Sequence, residues 1–144
     1  MVSAAFPLPP SMEKIVRRLQ QTSDPRRRYE YLLWLAQRLP PLPESARVEP
    51  NKVPGCVSQV YVIATLEEDL MRFQGDSDAQ LTKGLLALLI EGMNGLTVAE
   101  VLQLKPDFIK STGLEVSLTP SRANGFYNIF HTMQNKARQY QSIQ

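Results

Sequence analysis

The sequence predicts an α+β fold, with a small antiparallel hairpin set among helices. Three stretches predict it. Residues 57–65 alternate and are rich in β-branched side chains, the period-two pattern of a strand. Residues 81–90 are apolar nearly all round, as a helix at the centre of a domain must be. Phe126, Ile129, Phe130, Met133, Ala137 and Tyr140 recur at the spacing of a helix with one buried face.

In chain order, residues 1–10 read as a flexible N-terminal tail and 11–144 as a single domain, long enough for one modest core. Ser11 is placed to cap a first helix, with Met12, Ile15, Val16 and Leu19 on its apolar face. Asp24 before Pro25 marks the second helix start: a cap, then a proline whose missing N–H costs nothing there. Tyr29, Leu32, Leu33, Ala36 and Leu39 form its stripe, and Pro40-Pro41 stops it. A proline-punctuated connection over 42–54 leads to the strand at 57–65. Glu67-Glu68-Asp69 makes a polar turn, and 70–74 returns as the second strand.

Gly75-Asp76-Ser77-Asp78 is expected to end the hairpin. Ser77 and Gln80 have capping-box spacing, so the central helix should begin at Asp78 and end at Gly92 and Gly95. Thr97 and Glu100 form a second capping box for a short helix to about Leu104. Pro106 opens a further turn through Phe108 and Ile109. Residues 114–118 alternate weakly, as a short strand or an extended loop would. Thr119-Pro120 starts the last helix.

Composition narrows the function. Hydrophobic content of 43% and charged content of 21% are those of a globular protein. A net charge of +2 and one short basic cluster, Arg26-Arg27-Arg28, leave nucleic acid without a footprint. One cysteine excludes a disulfide framework. The chain's start lacks the charged segment and apolar run of a signal peptide, and the apolar run 85–90 is too short for a bilayer. The expected setting is the reducing cytoplasm, with neither nucleic acid nor membrane as a partner. No glycine-rich phosphate-binding pattern appears, so no cofactor is expected in this chain. A metal or iron–sulfur site fails on ligand number, with one cysteine and one histidine.

The only cysteine, Cys56, follows Pro54-Gly55 at the mouth of the first strand. Proline fixes its own φ and glycine admits angles other residues avoid, so a tight loop displays the thiol beside a rigid element. Free cysteines are usually small buried hydrophobes. The loop position brings a reactive reading level with that one. Nucleophilic use needs thiolate, which Lys52, Arg122 or the backbone N–H groups near Asp78 would favour. The only histidine, His131, falls on the solvent side of the last helix, so a Cys–His hydrolase has no placed base. Asp76 and Asp78 flank Ser77 at a helix start, where carboxylates favour the dipole. If Cys56 does chemistry, its partner is on another molecule.

These residues resemble the SufE family of sulfur acceptors. The blocks that carry the resemblance run in order from near Met12: Gln37-Arg38-Leu39-Pro40, then Gly55-Cys56-Val57-Ser58-Gln59-Val60, then Gln74-Gly75-Asp76-Ser77-Asp78-Ala79. Lys83-Gly84, Leu118-Thr119-Pro120-Ser121-Arg122 and Ala123-Asn124-Gly125-Phe126-Tyr127 complete them. Any block alone is weak, while all in order are specific. Val57 stands where some relatives have glutamine, and Tyr61 where some have tryptophan.

The resemblance implies a small antiparallel sheet with helices packed on one side, a fold shared with iron–sulfur scaffold proteins. It implies a covalent sulfur carrier rather than a stand-alone enzyme. Cys56 takes sulfur as a persulfide from a cysteine desulfurase, stimulates that enzyme and passes the sulfur to a downstream iron–sulfur scaffold protein. Pyridoxal phosphate is expected only in the desulfurase. Gly55, Ser58 and Gln59 would support the loop, with Val53, Pro54 and Val57 giving apolar shelter. Arg122 would stabilise the persulfide or anchor the loop, and Asp76 and Asp78 would serve partner binding. A homodimer is left open. The competing account is a redox thiol switch that regulates a partner protein through Cys56.

Overall fold

The computed structural model describes residues 8–141. The expected tail lies outside the described residues as far as residue 7. Helix α1 (Pro10–Gln20) begins one residue before Ser11, with Pro9 at the cap position and no side chain capping it. Proline geometry alone starts this helix. Met12, Ile15, Val16 and Leu19 are buried, as their spacing predicts. Helix α2 (Pro25–Arg38) starts as predicted, the Asp24 carboxylate accepting from the Arg26 N–H at 3.0 Å. Its buried residues are Leu32, Leu35 and Ala36, while Leu33 is exposed. The step from Leu32 that stays on one face is three residues, not one.

Strands β1 (Val60–Glu67) and β2 (Leu70–Ser77) form a two-stranded antiparallel hairpin, Val60 opposite Ser77 and Glu67 opposite Leu70. Both ranges correct the sequence expectation. Residues 57–59 lie in the loop before β1, since the ladder has no partner beyond Ser77. Residues 75–77 lie inside β2. Gly75 does not break that strand; a Cβ there would sit 2.5 Å from the Tyr61 carbonyl oxygen, so the glycine permits a close approach. Val60, Val62, Met71 and Phe73 are buried on the inner face. Ile63, Thr65, Arg72 and Gln74 share the other. The outer edge of β2 is covered: the Met71 N–H donates to the Leu96 carbonyl at 2.7 Å, and the Phe73 N–H to the Asn94 side chain at 2.7 Å.

Helix α3 (Gln80–Met93) packs on the inner face of the hairpin and is buried from Gly84 to Ile90. It begins at Gln80 rather than Asp78, and the expected capping box is absent. Ser77 is still in β2, and its hydroxyl accepts from the Ala79 N–H at 3.2 Å instead. Gly92 lies within α3 against Met12 and does not end it. Helix α4 (Val98–Gln103) has the Thr97–Glu100 capping box as predicted. Helix α5 (Phe108–Ser111) follows Pro106. Residues 114–117 are helical and only Leu118 is extended: Gly113 turns at φ 82°, and α6 (Leu114–Ser117) buries Leu114. Helix α7 (Pro120–Arg138) starts at the Thr119 cap and buries Gly125, Phe126, Ile129, Phe130, Met133 and Ala137. These helices share one core with the inner face of the hairpin, the predicted α+β arrangement. Among the described residues no helix is long and apolar enough to cross a membrane.

Candidate functional site: the Cys56 loop

Val53 is buried in the core, and its N–H donates to the Val60 carbonyl at 2.8 Å. That bond closes residues 54–59 into a loop at the start of β1. Gly55 takes φ +78°, the left-handed region that favours glycine. Its carbonyl accepts from the Asn128 side-chain amide on α7 at 3.1 Å. The Ser58 hydroxyl lies 3.4 Å from the buried Thr82 hydroxyl on α3. The Gln59 backbone pairs twice with Asp78: its N–H donates to the Asp78 carboxylate at 3.0 Å, and its carbonyl accepts from the Asp78 N–H at 3.2 Å. The Gln59 side chain accepts from the Tyr61 hydroxyl at 3.4 Å.

Cys56 is half-buried at the centre of this loop. Its thiol lies 3.9 Å from the Gly125 carbonyl of α7, a weak sulfur contact. Burial pushes the thiol up from its ordinary value, with no charge or donor offsetting it. Of the groups expected to activate it, the Asp78 N–H is already bonded to Gln59. Burial therefore disfavours the thiolate at rest.

Arg122 lies one helical turn before Gly125, so the two share a face of α7. Its side chain is exposed and makes no hydrogen bond or ion pair among the described residues, which leaves the loop-anchor role without a contact. Asp76 and Asp78 do not cap α3. Asp76 is paired with the Arg47 guanidinium and, at 3.2 Å, with the Lys83 ammonium. Burial alone would raise its carboxyl. Bonds from Arg47, the Ser77 N–H and Lys83 outweigh that and hold it below the usual range. Arg47 belongs to the connection before the loop, between 3-10 turns at Glu44–Ala46 and Glu49–Asn51. Asp76 thus fastens the approach to the cysteine, and Asp78 fastens the exit.

The expected apolar shelter is also different. Val53 is buried in the core, but Pro54 is exposed and Val57 is 88% exposed. The cover over the thiol comes from the α7 backbone at Gly125. Four residues of this site were not expected from sequence: Arg47, Thr82, Gly125 and Asn128. A glycine inside a helical stripe signals a close approach, and Asn128 follows it at the spacing that shares a face. Arg47 and Thr82 carry no such signal.

The description "SufE: Fe-S metabolism associated domain" matches residues 13–137. The chain belongs to the SufE family. An uncharacterised SufE-like protein of Synechocystis is 59% identical over 98% of this chain and 89% of its own length. SufE-like protein 1 of Arabidopsis thaliana, chloroplastic/mitochondrial, is 44% identical over 90% of this chain, which spans only 35% of that relative. The cysteine desulfuration protein SufE of Plasmodium vivax is 36% identical over 89% of this chain and 53% of its own. A hypothetical protein from Thermus thermophilus, solved in solution, superposes with a TM-score of 0.82 at 26% identity, over 94% of this chain and 99% of that one. The matched SufE span takes in the whole cysteine loop and its contacts on α3 and α7.

Proposed function

We propose that this SufE-family chain is a covalent sulfur carrier for iron–sulfur cluster assembly, with Cys56 as the acceptor and a cysteine desulfurase as the donor. The observation that carries the reading is the placement of the lone cysteine. It sits on a short closed loop inside the family match, half-covered by α7. One thiol suits a carrier, because no second cysteine can turn a persulfide into an internal disulfide.

The step is thiol exchange at sulfur. The Cys56 thiolate attacks the outer sulfur of a persulfide on the desulfurase. A bond forms between Cys56 Sγ and that sulfur. The donor's sulfur–sulfur bond breaks, and its electron pair leaves on the donor's thiolate. No external oxidant is consumed. A scaffold thiol then takes the sulfur from Cys56 by the same exchange. Burial disfavours the thiolate at rest, and exposure on docking would favour it. Exposed Val57 on the loop and Asp78 beside it are the surface offered to the desulfurase.

Incubation with a desulfurase and cysteine should add one sulfur to the Cys56 peptide by mass spectrometry and raise the desulfurase turnover. Cys56→Ser should lose both effects at unchanged melting temperature, since the hydroxyl is of similar size but cannot carry sulfane sulfur. A serine variant that still accelerates the desulfurase would refute the carrier mechanism.

A further inference from the structure

We infer that the α1–α2 face around Trp34 is a second docking surface, separate from the Cys56 loop. Its occupant is an acidic segment of a partner protein that carries an apolar side chain among its carboxylates. The inference goes beyond the carrier reading and does not depend on it. Leu33 and Trp34 stand side by side in the sequence of α2, 37% and 47% exposed. The indole is held in place from both directions along the helix. Tyr31, one turn before it, stacks on it with ring centroids 5.7 Å apart and planes 18° from parallel. The Arg38 guanidinium, one turn after it, lies 4.7 Å from its centroid and bonds to the Glu91 carboxylate of α3 at 2.9 Å. From α1, Arg18 lies 5.3 Å over the Tyr31 ring. This ladder joins three helices, which accounts for the stack but not for a tryptophan left half in water. Trp, Tyr and Arg are the residues that dominate interface energetics, and a side chain already held in place loses little entropy on docking.

The surroundings select the occupant. Trp34 and Tyr31 border an open cleft of about 660 Å³ that Arg18, Arg26 and Arg27 also line. None of these three arginines has an acidic partner among the described residues. Of the two acids in the cleft, Asp24 is turned to the Arg26 N–H at 3.0 Å, which leaves Glu30. Positive charge is in excess, and carboxylates complement it. A second copy of the chain does not, because it would bring like-charged guanidinium groups together. A nucleobase does not either. Tyr31 and Arg38 flank the indole from the preceding and following turns, so its two faces are taken and its edge is what remains open. An edge suits an apolar side chain. None of the residues that hold the Cys56 loop, Asp78, Thr82, Gly125 and Asn128, lines this cleft. A partner seated here leaves the thiol free, so one protein can hold the chain while another reaches Cys56.

The probe is a fluorescein-labelled amphipathic peptide of glutamate and leucine with one central phenylalanine. It is compared with the same peptide carrying lysine for glutamate, with an oligothymidylate, and with phosphatidylserine vesicles. Trp34 is the only tryptophan, so its emission reports on this face alone. The acidic peptide should raise its anisotropy on binding, move Trp34 emission to shorter wavelength and weaken with added salt. It should leave the iodoacetamide alkylation rate of Cys56 unchanged. The double variant Arg26→Glu, Arg27→Glu should bind it about tenfold more weakly or worse. Acidic residues in the first turn of a helix favour its dipole, so this variant should melt at the same temperature or higher. Lost binding is then not lost folding. No binding of the acidic peptide, equal binding of the lysine peptide, or equal binding by the double variant overturns the inference. So does binding that leaves Trp34 emission still or that changes the Cys56 rate. Oligothymidylate or vesicles that shift Trp34 where the acidic peptide does not would assign the face to another class of partner and overturn it too. Sulfur loading of Cys56 by a desulfurase is read separately, and its failure would sink the carrier reading while leaving this surface standing.

Discussion

The two ends of strand β1 close the chain in opposite ways. At the Glu67 end, Glu68 and Asp69 take φ 53° and 69°, and the turn is complete within the hairpin itself. At the Val60 end, the loop 54–59 depends on residues distant in sequence: Asp78, Thr82, Gly125 and Asn128. The tip is local geometry. The cysteine loop is tertiary geometry, held by separable polar contacts, while Val57 at its surface stays in solvent. A segment with few buried apolar contacts opens at low cost. The difference teaches where reactivity can be regulated: perturbing one loop contact should move Cys56, and perturbing the tip should not.

The largest expected break in this contrast is Asp76→Asn. Asp76 sits in β2 at the loop end of the hairpin and binds Arg47 and Lys83. The amide leaves two cations without their anion, at a cost of about 1–3 kcal/mol at neutral pH. Since the folded carboxyl is held below its usual range, its contribution is present above the unfolded pKa and lost as pH falls through the folded one. Denaturant unfolding should therefore show the full deficit at pH 7 and a shrinking one as pH falls below the ordinary carboxylate range. A deficit that persists in acid would mean that shape, not charge, is the cause.

Gly55→Ala comes next. A residue with a Cβ in the left-handed region costs roughly 1–2 kcal/mol. The new Cβ would also lie 2.8 Å from the Asn128 amide nitrogen, the far end of a side chain that can swing aside. Most of the cost should thus be backbone strain. The double variant Gly55→Ala, Asn128→Ala should recover little of it in equilibrium unfolding. Full recovery would show that the contact, not φ, demanded glycine.

Asn128→Ala alone is milder and sharpens the point. It removes one bond to the loop, of about 0.5–1.5 kcal/mol, and should lower the melting temperature by a few degrees at most. Burial raises the Cys56 pKa, so a loosened loop should lower it toward the ordinary thiol range. The pH midpoint of iodoacetamide alkylation should shift downward, with a faster rate at pH 7. An unshifted midpoint would mean that Asn128 does not hold the thiol under cover.

What the sequence made legible follows the same division. The Asp24-Pro25 start, the Thr97–Glu100 box and the α7 stripe are read from near neighbours in sequence, and each stands where its pattern put it except Tyr140, which lies past the end of α7. Cys56 was legible as the reactive candidate because it is the only thiol and follows Pro54-Gly55. Its environment was not. The Asp76–Arg47 pair spans β2 and an irregular connection, so neither residue carries a local mark of it. Ser77 matched a capping box in spacing, but strand pairing to Val60 claimed it first. Residues 114–118 looked extended because a helix of one turn is too short to show a period.

The smallest expected effect is at the tip, and it tests the comparison from its quiet end. Glu68 and Asp69 occupy positions where both residues need positive φ, and Asn-Gly is the pair that adopts this turn most readily. Both are exposed, so the replacement disturbs no packing. Substituting Asn-Gly should raise stability by about 0.5–1 kcal/mol, read as a higher melting temperature. The alkylation rate of Cys56 and its sulfur loading should stay at the values of the unsubstituted chain. The reason is structural: between the tip and the loop, β1 is pinned residue by residue to β2, and it packs against α7. A rigid strand between two ends has no second arrangement through which one could bias the other. A Cys56 reactivity that moved with the tip would sink this account, because it would make the hairpin a coupled element rather than a fixed rail for the cysteine loop.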